Sequence, residues 1–279
     1  MILTSFANKL STAIFNQELA LSRLTLATDY QLHYQFIEGD TAKPWLVFLH
    51  EGLGCIDMWK GFPQQLCSLT GCPGLVFDRL GYGQSSALLK ARSIHYMHEY
   101  ALQELPQLLA ALLQDCNYIL VGHSDGASIS LIYAAEQPPL LKALISVAAH
   151  VFVEPETISG IKAADAAYDA GKLKALQKYH GDKTATIFKA WSQTWLRAGF
   201  LSWNIEYLLP SIKVPLLAIQ GVNDQYGSQR QVSSIVEQAT GNSFAVMIED
   251  CGHSPHLEAQ EKVLAEMDNF IATITHPQK

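Results

Sequence analysis

The chain has 279 residues, of which 49% are hydrophobic and 16% charged, and it carries a formal net charge of −7. This length and apolar content suit one large domain that buries about three quarters of its unfolded surface. The negative balance argues against a nucleic-acid partner, and without an apolar run of 18 residues no membrane span is expected. Cys55, Cys67, Cys72, Cys116 and Cys251 are odd in number and lack paired metal-ligand spacing. Met1–Gln17 lacks the basic start and continuous apolar core of a secretory leader, so a reduced, cytoplasmic protein is expected.

In chain order, Leu24–Leu26 and Leu32–Tyr34 alternate across a polar turn at Thr28–Tyr30 and predict an opening antiparallel hairpin. A strand follows at Trp45–Leu49, a helix near Met58–Leu69, and a strand at Leu75–Asp78. The helical stretch Ile94–Leu113 contains Pro106, which should kink or restart it. Tyr118–Val121 reads as a buried strand, Ala127–Ala135 as a small-residue helix, and Ala143–Val147 as another strand. From His150 to Pro210 the alternation breaks into a helix-rich stretch carrying Trp191, Trp195, Phe200 and Trp203. Strands resume at Leu216–Ile219 and Phe244–Ile248, before a last helix opening near His256. The pattern divides the chain into 1–149, an insertion at 150–210, and 211–279.

The segment Gly122-His123-Ser124-Asp125-Gly126 lies between an apolar strand and a small-residue helix. Gly-x-Ser-x-Gly in that context is a nucleophile elbow. The flanking glycines are required because the turn is tight, and a Cβ at either would collide with the neighbouring strand or helix. A serine nucleophile needs a base, and the base needs an orienting acid. Asp224 follows the Leu216–Ile219 strand, and His253 follows Phe244–Ile248. The chain order Ser124, Asp224, His253, each beyond the carboxyl end of a strand, fits a site on an open α/β sheet. Asp250 is a rival acid by its closeness to His253, but it does not follow the preceding strand.

On these residues the chain resembles α/β-hydrolase-fold serine hydrolases over nearly its whole length. Val47-Phe48-Leu49-His50-Glu51-Gly52-Leu53-Gly54 is similar to the family's oxyanion loop after the third strand, and Phe77–Ser85 is similar to its Asp-Arg-x-Gly-x-Gly-x-Ser segment. The resemblance implies a mostly parallel sheet flanked by helices, with a helical cap inserted between strands six and seven. It implies that Ser124 attacks a carbonyl carbon, that His253 shuttles the proton and that Asp224 orients the imidazole. The oxyanion would be held by the backbone N–H groups of Gly52 and Asp125. Glu51 stands where the commoner His-Gly-x-x-Gly form has glycine, and reads as a tucked residue hydrogen-bonding the loop. The Asp125 side chain falls in the first turn of the elbow helix, where the helix dipole favours negative charge. Asp78 and Arg79 read as fixing neighbouring loops, His123 as packing beside the elbow, and His256 as a structural hydrogen-bonder at the start of the last helix.

No cofactor or metal is expected. His95, His98 and Glu99 have helical spacing but no third ligand cluster. Gly81-Tyr82-Gly83 lacks the third glycine of a dinucleotide fingerprint. Trp191, Trp195 and Trp203 are the candidate substrate-binding residues, with Phe152 and Phe188 as further aromatic groups of the insertion, while Lys172, Lys174 and Lys178 read as a solvated face. The reaction expected is hydrolysis of a small or medium carboxylic ester through an acyl-enzyme. Lactone, thioester and carbon–carbon bond hydrolysis use the same three residues, and a hydrolase-fold ligand receptor without turnover is the alternative of another class.

Overall fold

The computed structural model describes residues 22–26 and 30–275. Eight strands form one sheet in the order β1-β2-β4-β3-β5-β6-β7-β8. They are β1 (Ser22–Thr25), β2 (Gln31–Ile37), β3 (Trp45–Leu49), β4 (Gly74–Phe77), β5 (Tyr118–His123), β6 (Leu141–Val147), β7 (Leu216–Gly221) and β8 (Ser243–Ile248). The opening hairpin pairs antiparallel, with Leu24 opposite Leu32; most of its expected turn lies outside the described residues. β2 is antiparallel to β4, and every pairing from β4 through β8 is parallel.

The central strands are apolar without interruption because both faces of a parallel sheet are covered. Along β3 and β5, Val47, Leu49 and Leu120 join one core layer, while Leu46, Phe48, Ile119 and Val121 join the other. The first layer packs under the helices Leu105–Leu112, Asp125–Ala135 and Arg230–Gln238, the second under Phe62–Thr70 and Gln260–Thr275. The expected helix at Ile94–Leu113 begins at Tyr96 and contains a π-helical turn, Tyr100–Glu104, that ends just before Leu105-Pro106, where the α-helix resumes. The wider turn accommodates Pro106, which has no N–H and whose ring crowds the carbonyl four residues back.

Between β6 and β7 the chain is helical: Pro155–Asp169, Gln177–His180 and Thr184–Trp195, followed by short 3-10 turns to Ser211. A bridge between Phe152 and Asn204 ties its two ends together. Among the described residues no helix is long and apolar enough to cross a membrane, and all five cysteines are free thiols.

The sheet positions the site. The chain runs from β3 outward to β4 and then returns to β5 on the other side, so the loops after β3 and β5 diverge at a topological switch point, where open α/β sheets bind ligands.

Candidate active site

Ser124 sits between β5 and the Asp125–Ala135 helix at φ 52°, ψ −117°, a conformation that favours glycine. The neighbouring glycines leave it room. A Cβ at Gly122 would fall 2.5 Å from Ala127 Cα, and one at Gly126 would fall 2.1 Å from the Leu49 carbonyl oxygen. The turn therefore presses the elbow helix directly against the end of β3.

Three loops bring the sequence-derived residues together. The Ser124 hydroxyl donates to His253 Nε2 at 2.9 Å. His253 Nδ1–H donates to both Asp224 carboxylate oxygens, each at 2.9 Å. The carboxylate acceptor fixes the tautomer that leaves Nε2 free to accept a proton. Burial alone would raise the Asp224 pKa, but the hydrogen bond and charge of His253 and the Tyr226 N–H hold it below the ordinary carboxylate value. Asp250 is exposed at a turn, and the histidine nitrogen goes to Asp224. The His253 loop is anchored by His123, whose Nε2–H donates to the His253 carbonyl at 2.8 Å.

The loop after β3 is held by its carbonyl groups. Glu51 C=O accepts Arg79 Nη2 at 2.7 Å and His50 Nδ1–H at 2.8 Å. Gly52 C=O accepts the Tyr82 hydroxyl at 2.8 Å, and Leu53 C=O accepts His180 Nε2–H at 2.8 Å. Tyr82 in turn accepts a hydrogen bond from Arg92. Burial, reinforced by the Arg79 charge, lowers His50 to about 3, so its ring stays neutral and can both donate to Glu51 and accept the Arg79 amide. With these carbonyls engaged, the Gly52 amide has no acceptor within the described protein, and neither does the Asp125 amide.

Glu51 tucks against Gly54 and His123: a Cβ at Gly54 would fall 2.3 Å from its Oε2, and that oxygen lies 3.5 Å from His123 Nδ1. Burial would raise its pKa, but the His123 contact holds it well below the usual range. The Asp125 carboxylate, 1% exposed, accepts the Tyr96 hydroxyl at 2.8 Å and lies 4.0 Å from Arg79 Nη1. Its charge is thereby offset from behind the elbow.

These groups line a cavity of about 110 Å³, to which Glu51, Gly52, Leu53, Ser124, Asp125 and His253 contribute. His150, Thr157, Ile161, Trp191, Trp195 and Tyr226 form the remaining wall. Of the three candidate substrate-binding tryptophans, Trp191 and Trp195 line the cavity. Trp203 does not line the cavity: it stacks on Phe200 at 5.4 Å and meets Trp195 edge-on from behind. Phe188, similarly, stacks on Tyr168 at 3.9 Å. His150, Thr157 and Tyr226 were not anticipated. His150 and Thr157 both donate to the Tyr226 carbonyl, binding the β6 and β7 loops together. Among the described residues no cluster of three or more metal-ligating side chains occurs, and His95 and His98 meet only through their ring edges.

A family model for the alpha/beta hydrolase fold matches residues 44–207. Lipase 1 of Psychrobacter immobilis is 24% identical over 91% of this chain and 84% of its own length. A 2-succinyl-6-hydroxy-2,4-cyclohexadiene-1-carboxylate synthase of Enterobacter sp. (strain 638) is 27% identical over 72% of this chain and 69% of its own. The solved enol-lactonase from Burkholderia xenovorans LB400 superposes with a TM-score of 0.69 at 17% identity, covering 90% of this chain and 99% of that one. With a sheet of this order and a family match over more than half of its length, the chain belongs to the α/β-hydrolase fold family.

Proposed function

We propose that the chain is a serine hydrolase that cleaves a small carboxylic ester through an acyl-enzyme, with residues 150–210 serving as a cap over the site. The observation that carries this reading is the unbroken hydrogen-bond chain Ser124–His253–Asp224 opening onto a cavity beside two amides without acceptors. Ser124 Oγ attacks the carbonyl carbon while its proton passes to His253 Nε2. Asp224 offsets the charge that develops on the imidazole. The N–H groups of Gly52 and Asp125 stabilise the oxyanion, where preorganised donors matter most. Collapse of the tetrahedral intermediate expels the alcohol, which takes the proton from His253; water then repeats the sequence and frees the acid.

The cavity of about 110 Å³ is smaller than that of most ligand pockets and is walled by Trp191, Trp195 and Ile161. It supports a short acyl group rather than a long lipid chain. The lipase named among the relatives supports ester chemistry, while the synthase and the enol-lactonase show how widely one family varies it.

The test is hydrolysis of p-nitrophenyl esters of increasing acyl length, wild type beside Ser124→Ala. Ser124-dependent turnover that fades with chain length is expected. Silence across the series redirects the assignment to a lactone, thioester or carbon–carbon bond, or to a receptor without turnover. Activity surviving in Ser124→Ala removes the serine from the mechanism.

A further inference from the structure

Trp191 is more than an apolar wall. A Cβ built on Gly52 would fall 2.5 Å from Trp191 Nε1, 2.7 Å from its Cδ1 and 3.3 Å from Asp125 Cγ. The absence of a side chain at Gly52 thus lets an indole nitrogen approach the two residues whose amides lack acceptors. Trp191 is 8% exposed and lines the cavity with Ser124. The other buried indoles behave differently: Trp195 Nε1–H donates to Tyr96, Trp45 hydrogen-bonds Cys116, and Trp59 Nε1 and Trp203 Nε1 are sealed within the packing without a partner. Trp191 Nε1 is neither bonded within the described protein nor sealed. Its orientation is fixed from the side, because Phe188 meets it edge-on at 5.8 Å and is itself stacked on Tyr168.

An indole N–H that faces the cavity and has no protein acceptor is free to donate to whatever occupies that space. Resting on the serine-hydrolase reading above, we propose that Trp191 Nε1–H is a third hydrogen-bond donor to the substrate carbonyl oxygen, joining the amides of Gly52 and Asp125. The bond strengthens as that oxygen becomes an anion, and the indole proton stays on its nitrogen throughout. Trp191 belongs to the Thr184–Trp195 helix, so the segment between β6 and β7 would contribute a catalytic residue as well as a cover.

The experiment compares wild type with Trp191→Phe, which keeps an aromatic plane but loses the N–H. Butaneboronic acid serves as the oxyanion probe. Ser124 Oγ forms a bond to boron, its proton passes to His253, and the anionic boron-bound hydroxyl stands in for the oxyanion. Butyramide serves as the neutral competitor. Trp191→Phe should lower kcat by roughly 10²-fold, near the loss seen when one oxyanion donor is removed, with KM little changed. It should weaken the boronate by a similar factor and butyramide, whose carbonyl oxygen bears no full charge, by much less. In ¹H–¹⁵N spectra the indole resonance missing from Trp191→Phe should move downfield when the boronate adduct forms. Equal weakening of both ligands, or an unmoved resonance, reduces Trp191 to packing and overturns the proposal. Absence of both an adduct and Ser124-dependent turnover in the wild type defeats the hydrolase reading, and this inference with it.

Discussion

Gly126 shows how little freedom single positions have around the elbow. Its missing side chain lets the helix backbone rest on Leu49, and the obstacle to a methyl group there is main chain, which cannot rotate aside. Gly126→Ala should therefore destabilise the fold by about 1–3 kcal/mol or more, measured by urea unfolding. The proposed triad makes a second, separable set of expectations. Ser124→Ala and His253→Ala should each reduce kcat by about 10⁶-fold, and Asp224→Asn by about 10⁴-fold through the wrong tautomer. Asp250→Asn should leave ester turnover at the wild-type rate, since Asp250 faces solvent. A large loss in Asp250→Asn with a small one in Asp224→Asn would reverse the assignment. Ser124, Asp224 and His253 were legible in the sequence because each follows an apolar run; β5 and β7 are buried throughout, and β8, although a partly exposed edge strand, is still mostly apolar.

The loop after β3 carries one of the two proposed oxyanion donors, and its supports were mostly not legible. His180 reaches Leu53 from 127 positions away, and Tyr82 and Arg92 act on Gly52 from a different loop. No local pattern marks a donor whose acceptor is chosen by tertiary packing. The same reason explains Trp203. Helicity between β6 and β7 was readable, but short 3-10 turns break the periodicity that would say which aromatic ring faces the site and which faces Phe200. Pro106 announced a disturbance in its helix, whereas the π turn that absorbs it lies upstream of the proline. Tyr82→Phe tests the loop as a unit. It removes the hydrogen bond to Gly52 C=O and leaves the ring in place, so kcat should fall by about 10-fold, the worth of one such bond. The pH profile should keep its shape, because no titrating group of the proposed triad is touched.

Across the whole molecule, one region of the interior is unusually polar. Arg79, Arg92, Asp125 and Glu104 are all buried beneath the elbow, with Tyr82, Tyr96 and Tyr100 around the Arg92 guanidinium. Burial raises the Glu104 carboxyl to about 8, against the Leu80 N–H and the two arginines, which favour its charge. An acid whose pKa is higher folded than unfolded contributes stability that is complete below its unfolded value and is lost as pH rises through the folded one. Stability should therefore decline from about pH 4.5 to about pH 8 through this group. Glu104→Gln should flatten that part of the profile, which thermal melts between pH 5 and 9 would reveal; an unchanged slope would place the titration elsewhere.

The backbone at Ser124 has a consequence for why this residue is present at all. At φ 52° a glycine would be relaxed where serine is strained, so Ser124→Gly should melt higher, by about 2–4 °C for each kcal/mol relieved, while losing turnover. Thermodynamics alone would drift this position toward glycine. A chain kept only as a binding scaffold would have gained by that drift, whereas a chain that retains serine here gives up thermal margin in return for its hydroxyl. The melting temperature of a dead variant thus becomes evidence about what the living one is for.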